Sequence, residues 1–346
     1  MVAKNILVHS LVNLGDVLLS TSAVDLIKKI HPDAKVTMMV RPVARQLVEN
    51  NPIIDEVIIF DYKGENKGIK KAWEMVRLIK SKKFDLCISF DRKLRPAIIT
   101  WLAGIPVRIC PDKIFDDIPS KVTWFYTNVV HITHDIVNTL QANTYQEIIR
   151  IFFKSNKVGS PVMALPNKSS VEFVENLIAD LPKREKIIGL CVQGTFPLKT
   201  WPREYFIETI KCLNEKYNAS FFITGAPEDK DYVNLIIDES NVKIANFCSK
   251  TSLVDLVTLY KKTDLFVTVD TGAAHIAATT GVPMVVMYGC TSPKRWHPIN
   301  EKARVITMNK NCCPCKIHAH ECPKPKCLWD ITPQMVLEKC EELLNL

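Results

Sequence analysis

Small polar residues follow an apolar run in the segment VTVDTGAAHIAATTGVPMVVMYG (267–289) and open the helical pattern that comes next. Amide N–H groups at the start of a helix lack intrahelical partners and attract anions, and small side chains let a ligand touch the main chain. The segment therefore predicts a site for a diphosphate. Its residues are Asp270, Thr271, Gly272, Ala273, Ala274 and His275.

Two of these residues have alternative roles. Asp270 would repel a phosphate, so we expect its carboxylate to bind sugar hydroxyls, unless it caps the helix instead. His275 has a ring N–H that could donate to a phosphate, but a histidine one turn into a helix is often structural. The set predicts the site better than either residue alone.

Two further apolar runs end in residues that suit a nucleotide. In CVQGTFPLKTWPREYF (191–206), Thr195 offers a hydroxyl and Lys199 a positive charge that would offset charge building on a leaving diphosphate. In FITGAPEDKDY (222–232), Glu228 stands where an acid binds ribose hydroxyls. The alternative for Glu228 is a first-turn acid that only favours the helix dipole.

The corresponding turn near the start is HSLVNLGDVLLSTSA (9–23), where Asp16 opens a helix. A carboxylate there is a candidate general base, because a hydroxyl that attacks a sugar must lose its proton as the bond forms. A helix cap or dipole partner is the alternative. The chain has no G-x-G-x-x-G after its first strand and no Walker A lysine, which disfavours a nicotinamide enzyme or a P-loop ATPase.

Short apolar runs alternate with helical patterns, which predicts βαβ units and parallel sheets. In the first half we expect strands at 5–9, 35–40, 56–60 and 85–89. The runs KIIGLCVQG, SFFITG, DLFVTVD and MVVMYG predict strands in the second half. Gly159, Pro161 and Pro166 interrupt the rhythm, so we predict two doubly wound α/β domains, 1–160 and 161–331, and a terminal helix at 332–346.

The net charge of +8 lies mostly in the first half of the chain. Residues 1–160 contain 23 Lys and Arg against 16 Asp and Glu, whereas residues 161–346 contain 22 against 21. The basic segments 62–85 and 91–96 could meet an anionic membrane, a phosphorylated substrate or nucleic acid. They contain few aromatic residues for base stacking, so we expect no nucleic acid.

The alternative for the segment 62–85 is an amphipathic helix. Its lysines would then be solvated, and Trp73, Val76 and Ile79 would face the core. No apolar run reaches the ~18 residues that a membrane-spanning helix needs, and the first residues do not resemble a signal peptide. We therefore expect a cytoplasmic protein.

Twelve cysteines are many for a cytoplasmic chain, and five lie close together near the end. Zinc or iron is one explanation, but only Cys312 and Cys315 have the C-x2-C spacing of a thiolate site. A loop held by prolines, with incidental or redox-active thiols, is the other. The five cysteines are Cys312, Cys313, Cys315, Cys322 and Cys327.

Over nearly its whole length the chain resembles the ADP-heptose-using lipopolysaccharide heptosyltransferases of glycosyltransferase family nine. The motifs that carry the resemblance are LGDVLLSTSAVDLIKKIHPDAKVTMMV, LAGIPVRI, LKTWPREYF, ITGAPED, DTGAAHIAATTGVPMVVMYGCTSPKRWHP and the tail CCPC…C…C. The resemblance implies a GT-B fold, in which two Rossmann-like domains face a cleft. The first domain would bind the acceptor, the second would bind the nucleotide sugar, and the terminal helix would pack back on the first.

The resemblance also implies roles for individual residues. Asp16 matches the catalytic base. The donor site comprises Thr195 and Lys199 at the diphosphate, Glu228 at the ribose, and the loop of Asp270, Thr271, Gly272, Ala273 and His275. Basic and polar residues of the first domain, namely Asn13, Arg92, Lys93 and Arg95, are expected at the acceptor. Ser10 and Ser22 depart from the family pattern, in which a basic residue and a proline are common, so the acceptor sugar stays open.

These observations predict an inverting, metal-independent transfer of heptose from ADP-heptose to a lipopolysaccharide core glycolipid at the inner membrane surface. No cofactor is expected, and peripheral membrane association fits the basic first half. The alternatives are a related glycosyltransferase with another nucleotide sugar, or a non-catalytic protein that binds a nucleotide sugar.

Overall fold

The computed structural model describes residues 3–315, 322 and 326–345, which form two compact units. The first unit ends at Leu165, not at residue 160, because residues 161–165 bond to it. Val162 N donates to Thr21 Oγ1 at 2.8 Å, and Ala164 N donates to Leu47 O at 3.2 Å. Residues 161–165, which we call the strap, are thus bound to the first unit by hydrogen bonds from their backbone amides.

The first unit is a six-stranded parallel sheet in the order β3-β2-β1-β4-β5-β6. In its centre, Val8 pairs with Met38 on one side and with Ile88 on the other. The strands are β1 Asn5–Ser10, β2 Lys35–Val40, β3 Glu56–Ile59, β4 Leu86–Ser89, β5 Val107–Pro111 and β6 Asn128–Val130. The helices are α1 Leu14–Ile30, α2 Arg45–Val48, α3 Ile69–Ser81, α4 Leu94–Leu102 and α5 Gln141–Phe153.

The second unit repeats this arrangement, with the parallel order β9-β8-β7-β10-β11-β12. Its strands are β7 Lys186–Cys191, β8 Ala219–Ile223, β9 Ile244–Asn246, β10 Leu265–Val269, β11 Met284–Tyr288 and β12 Ala303–Thr307. Its helices are α6 Lys168–Ala179, α7 Arg203–Lys216, α8 Lys230–Ser240, α9 Leu253–Lys261, α10 Gly272–Thr280, α11 Pro293–Trp296, α12 Lys326–Trp329 and α13 Pro333–Leu344.

The two doubly wound α/β sheets confirm the predicted fold class, and the eight predicted strands are all present. Four strands were not predicted, namely β5, β6, β9 and β12. The expectation that Trp73 faces the core is wrong, because its side chain is 50% exposed. Met75 is buried instead, together with Val76 and Ile79. Trp73, Val76 and Ile79 are spaced three residues apart, and such positions move progressively around the axis of a helix with 3.6 residues per turn, so Trp73 lies away from the core.

The helices of the first unit cover both faces of its sheet. α3 and α4 contribute Met75, Val76, Ile79 and Ile99 to one cluster with the strand residue Cys87. α1 and α5 pack on each other. The right-handed crossovers of this strand order put these two helix pairs on opposite faces.

The terminal helix α13 forms as predicted, with Thr332 as its N-cap and Pro333 as its first residue. Thr332 Oγ1 accepts from Met335 N at 3.4 Å. Its buried residues Val336 and Cys340 belong to the core of the second unit. That this helix packs on the first unit stays a prediction. Among the described residues, no helix has the length and apolar character needed to cross a bilayer.

Candidate active site

Each sheet has one point at which the strand order reverses, between β1 and β4 in the first unit and between β7 and β10 in the second. In open α/β sheets, ligands bind beyond the carboxyl ends of the strands at this point. Most of the predicted residues lie at these two points, whereas Glu228 follows β8. Asn13 and Asp16 follow β1, while Arg92, Lys93 and Arg95 follow β4; Thr195 and Lys199 follow β7, and the loop that begins at Asp270 follows β10.

In the second unit, Lys199 and Asp270 form an ion pair at the strand reversal. Lys199 Nζ donates to Asp270 Oδ2 at 2.6 Å, and Thr291 Oγ1 donates to the same oxygen at 2.6 Å. The side chains of Lys199 and Asp270 are 16% and 7% exposed. Because β7 and β10 are neighbours in the sheet, two residues far apart in sequence meet in one shielded place.

The helix α10 begins beside this pair, and Thr271 caps it. Thr271 Oγ1 accepts from Ala273 N, and Thr271 O accepts from Ala274 N, both at 3.1 Å. The alternative that Asp270 is the cap is therefore wrong, since its carboxylate faces Lys199 instead. The expectation that the first amides are unpaired is also wrong for Ala273 and Ala274. The positive end of the helix remains at the site, and Gly272 has no side chain to cover its backbone.

His275 lies under the same loop and is 6% exposed. Burial lowers the pKa of His275 to about 4; Asp270 opposes this shift and Lys199 adds to it. The ring is therefore neutral at physiological pH. Its Nδ1 has no hydrogen-bond partner within the described residues. A buried ring nitrogen without a partner is costly, so it is a candidate for binding a ligand atom.

The loop after β7 runs very close to itself, which explains Gly194. A Cβ on Gly194 would clash with the Cβ of Lys199 and lie 2.6 Å from the carbonyl oxygen of Lys199. The close approach fixes Lys199 relative to the strand end. Thr195 is exposed in this loop.

Glu228 follows β8 in a short 3-10 helix, Pro227–Asp229, and is exposed. Asp229 Oδ2 accepts from Ala226 N at 2.8 Å, so Asp229 closes this turn. The carboxylate of Glu228 is thus not needed for capping, which leaves it available to a ligand. The prediction that it binds ribose rests on the position after β8, next to β7 in the sheet.

In the first unit, α1 begins at Leu14, so Asp16 lies in its first turn and Asn13 at its N-cap position. Asn13 is exposed and its side chain makes no capping hydrogen bond. Asp16 is half-buried, and its Oδ1 accepts from the hydroxyl of Tyr145 at 3.2 Å. Tyr145 is fully buried in α5, so it holds the carboxylate from a rigid position.

The three basic residues predicted at the acceptor have different surroundings. Arg92 forms a bidentate pair with Asp116, with N–O distances of 2.6 and 2.9 Å. Arg95 donates to three backbone carbonyls of the loop before α3, those of Tyr62, Asn66 and Gly68. Lys93 is exposed at the N-cap position of α4. Arg92 and Arg95 thus shape the loops around this strand end, and their acceptor role stays a prediction.

A buried network at the same strand reversal was missed from the sequence. His9 Nδ1 lies 3.0 Å from Asp91 Oδ2, and His9 Nε2 lies 3.1 Å from the hydroxyl of Tyr126. Asp91 also accepts from the backbone amides of Leu11 and Lys93, at 3.0 and 2.8 Å. Burial alone would lower the pKa of His9, but the Asp91 carboxylate outweighs it and raises the pKa to about 10.

His9 and Asp91 are therefore a charged pair in the core, and Asp91 ties the turn that leads to Asp16 to the start of α4. The signal in the sequence was the position of Asp91 two residues after the fourth strand. Thr291, which donates to Asp270, was also missed, although it follows the strand β11 in the same way.

Two of the clustered cysteines, Cys313 and Cys315, lie against the turn after β11. Cys313 Sγ donates to Gly289 O at 3.1 Å, and Cys315 N donates to Cys290 O at 2.8 Å. Burial, with the neighbouring thiols of Cys327 and Cys312, raises the pKa of Cys313 to about 12. This thiol is therefore protonated near neutral pH.

Across residues 3–315, 322 and 326–345, no three His, Cys, Asp or Glu side chains are arranged to hold a metal ion. The contacts of Cys313 with Gly289 and of Cys315 with Cys290 hold the chain beside the turn that carries Thr291.

Comparison with known proteins gives consistent results. The model of glycosyltransferase family 9 (heptosyltransferase) matches residues 72–326. Lipooligosaccharide heptosyltransferase 2 of Campylobacter jejuni is 26% identical over 344 residues, which cover 98% of each chain. Two solved structures cover nearly all of this chain. A family 9 glycosyltransferase from Veillonella parvula matches with a TM-score of 0.86 at 24% identity, over 99% of this chain and 97% of that one. The structure of E. coli ADP-heptose lps heptosyltransferase II matches with a TM-score of 0.77 at 22% identity, over 99% of this chain and 98% of that one.

The two Rossmann-like units, each with polar residues at its strand reversal, have the GT-B fold, which the matched structures share. More particularly, the chain belongs to glycosyltransferase family 9, the heptosyltransferase family. The resemblance predicted from the motifs is thereby confirmed.

Proposed function

We propose that this protein transfers a heptose from ADP-heptose to a lipopolysaccharide core acceptor, with inversion at the anomeric carbon and without a metal ion. The observation that carries the proposal is the site of the second unit, where Lys199, the start of α10 and the unpartnered Nδ1 of His275 lie together. This combination suits a diphosphate. The names of the Campylobacter and E. coli proteins support heptose as the sugar and lipopolysaccharide as the acceptor.

The donor would lie across the carboxyl ends of β7, β8 and β10. Lys199 would release part of its contact with Asp270 to bind the diphosphate, and Asp270, still held by Thr291, would accept hydrogen bonds from sugar hydroxyls. The neutral ring of His275 would donate one N–H to a phosphate oxygen. Thr195, Thr271, Gly272 and Ala273 would line the diphosphate, and the exposed Glu228 would bind the ribose.

The transfer would be a single displacement. The acceptor oxygen forms its bond to the anomeric carbon while the bond from that carbon to the phosphate oxygen breaks, and ADP leaves with the electron pair. Asp16 takes the proton of the acceptor hydroxyl. Tyr145 orients its carboxylate, and Lys199 stabilises the charge that develops on ADP.

The acceptor would approach the first unit, which has the excess of positive charge. Asn13 and Lys93 are exposed at the strand reversal, and Arg92 and Arg95 flank it. We propose that the protein works in the cytoplasm at the inner face of the membrane, where a core glycolipid presents anionic groups.

The roles of Asp16 and Lys199 are separable by experiment. In Asp16→Asn, transfer of heptose to a truncated core acceptor should fall by at least about 100-fold, while ADP binding by calorimetry stays as in the wild type. In Lys199→Gln, ADP binding itself should weaken about tenfold or more. Near-normal turnover in Asp16→Asn would refute the base assignment.

Asp25→Asn is the matched control, because Asp25 lies on the same helix and pairs with Lys29 at 2.9 Å. It should transfer heptose at the wild-type rate. The donor is tested separately by thermal shifts with a panel of nucleotide sugars, since a ligand that binds the folded state raises the melting temperature. A larger shift with a UDP-sugar than with ADP-heptose would show that the donor is a UDP-sugar. It would not change the assignment of the fold class.

A further inference from the structure

The outer surface of α3, α4 and the segment 112–125 carries many exposed apolar side chains. Eight of the sixteen large apolar residues that are exposed in the described chain lie on these elements. They include three tryptophans: Trp73 is 50%, Trp101 42% and Trp124 75% exposed. We call this surface the α3–α4 face. Its other exposed members are Ile69, Leu78, Leu94, Leu102 and Ile118.

These elements lie on one face of the first sheet. α3 and α4 share a core cluster against it, and Val122 and Phe125 pack on Ala97 of α4. The rings of Trp101 and Trp124 are 5.9 Å apart, and both contact the ring of Phe125, at 5.9 and 5.0 Å. Aromatic side chains that are held together but open to water mark an interaction surface.

The same face is strongly basic. The segment from Tyr62 to Asp85 contains eight Lys and Arg against three Asp and Glu. On α3 itself, Lys70, Lys71, Arg77 and Lys80 are exposed, and of these Lys71 pairs with Glu74 at 2.7 Å. Exposed positive charge beside tryptophan favours a partner with a negative surface and an apolar layer beneath it.

An anionic bilayer has both properties. Tryptophan rings collect at the boundary between lipid headgroups and acyl chains, and lysines are attracted to anionic lipids. A second copy of the same face would instead bring lysines against lysines. Single-stranded nucleic acid is bound along basic grooves with stacking rings, whereas Trp73 and Trp101 lie on the outer sides of helices and Trp124 lies in the segment beside them.

We propose that the α3–α4 face docks on an anionic membrane surface, with Trp73, Trp101 and Trp124 in the headgroup region and the lysines of α3 over anionic headgroups. The purpose of this docking rests on the proposed function, because a lipid-anchored acceptor is confined to the membrane. The surface itself is independent of the reaction. α3 and α4 begin at the sheet edge where Asp16 lies and run away from it, so the face that docks extends along the sheet from that edge.

The test is sedimentation of the full-length protein with phosphatidylcholine vesicles, with and without phosphatidylglycerol, at low and high salt. Wild-type protein should bind the anionic vesicles about tenfold more strongly or better, and salt should weaken this binding. Trp73→Ala/Trp101→Ala/Trp124→Ala should lose at least about tenfold in binding. Lys70→Gln/Lys71→Gln/Arg77→Gln/Lys80→Gln should bind both kinds of vesicle equally weakly.

Trp329→Ala is the matched control, since Trp329 is also 50% exposed but lies in the second unit. It should bind as the wild type. Brominated lipids give a second measurement that needs no variant, because they should quench tryptophan fluorescence of the wild type on docking. All variants should transfer heptose to a soluble, delipidated acceptor as the wild type does. Failure of that transfer in the wild type would refute the proposed function and leave the vesicle result standing.

Three results would overturn the docking proposal. The first is no sedimentation of wild type with anionic vesicles at low salt. The second is equal binding by the triple tryptophan variant. The third is a wild-type dimer, or an oligonucleotide complex, that the tryptophan variant loses while its vesicle binding is intact.

Discussion

The buried pair of His9 and Asp91 should make the free energy of unfolding depend strongly on pH, whereas a similar pair on the surface should not. The pKa of His9 is about 10 in the folded protein, against 6.5 for an ordinary histidine. A raised pKa stabilises the folded state fully below pH 6.5, and the stabilisation is lost as the pH rises through about 10. In this window the folded protein holds one proton that the unfolded chain has released.

The magnitude follows from proton linkage. One retained proton changes the free energy of unfolding by about 1.4 kcal/mol per pH unit, so the pair should lose about 2 to 3 kcal/mol between pH 6.5 and about pH 8.5. In Asp91→Asn the imidazole is expected to be neutral throughout. At pH 6.5 this variant should be about 3 to 5 kcal/mol less stable than the wild type, as for a broken buried ion pair.

The assay is urea unfolding of wild type and Asp91→Asn at both pH values, followed by tryptophan fluorescence. The difference between the two proteins should shrink by about 2 to 3 kcal/mol at the higher pH. Asp112→Asn is the control, because Asp112 and His131 form the same kind of pair at 3.1 Å, but His131 is 79% exposed. It should cost about 1 kcal/mol or less at either pH. A difference between wild type and Asp91→Asn that is the same at both pH values would refute a charged His9.

Three substitutions test the packing that positions the two sites, each by its effect on the free energy of unfolding. Gly159→Ala should cost about 1 to 3 kcal/mol, because its Cβ would clash with Ser22 O and lie 2.8 Å from Leu26 N; wild-type stability would mean that the backbone at Gly159 shifts easily. Trp201→Phe should cost about 1 to 3 kcal/mol, because Trp201 Nε1 donates to Ile331 O at 2.8 Å in the core; an unchanged denaturation midpoint would show that water replaces this bond. Ser252→Ala should cost about 1 kcal/mol, because Ser252 and Asp255 form a capping box at the start of α9; a cost near zero would argue that the box does not stabilise the helix.

The inner strands were predictable from sequence because they are buried on both faces and therefore appear as continuous apolar runs. β6, β9 and β12 were missed because they are edge strands, short or half-exposed, with residues such as Asn128 and Arg304. β5 was missed because Arg108 interrupts its apolar run. Its guanidinium is used inside the fold, where it donates to Phe125 O at 2.9 Å.

The site residues were predictable as types that follow strands, but their pairings were not. Lys199 and Asp270 are 71 positions apart, and their contact depends on the register that sets Thr268 beside Cys191. The contact between His9 and Asp91 spans 82 positions and depends in the same way on β1 pairing with β4. Because Trp73 was predicted to face the core, the sequence did not reveal that the basic segment carries an exposed tryptophan.

The strap, residues 161–165, determines where the chain can be truncated to give the first unit alone. A polypeptide that stops at Ser160 would leave Thr21 Oγ1, Leu47 O and Asn50 O without the amides that they accept from, and it would lack the buried side chains of Met163 and Ala164. One that stops at Leu165 keeps these contacts. The first unit should therefore be expressed with its strap, as residues 1–165, if it is to be studied as an independent protein.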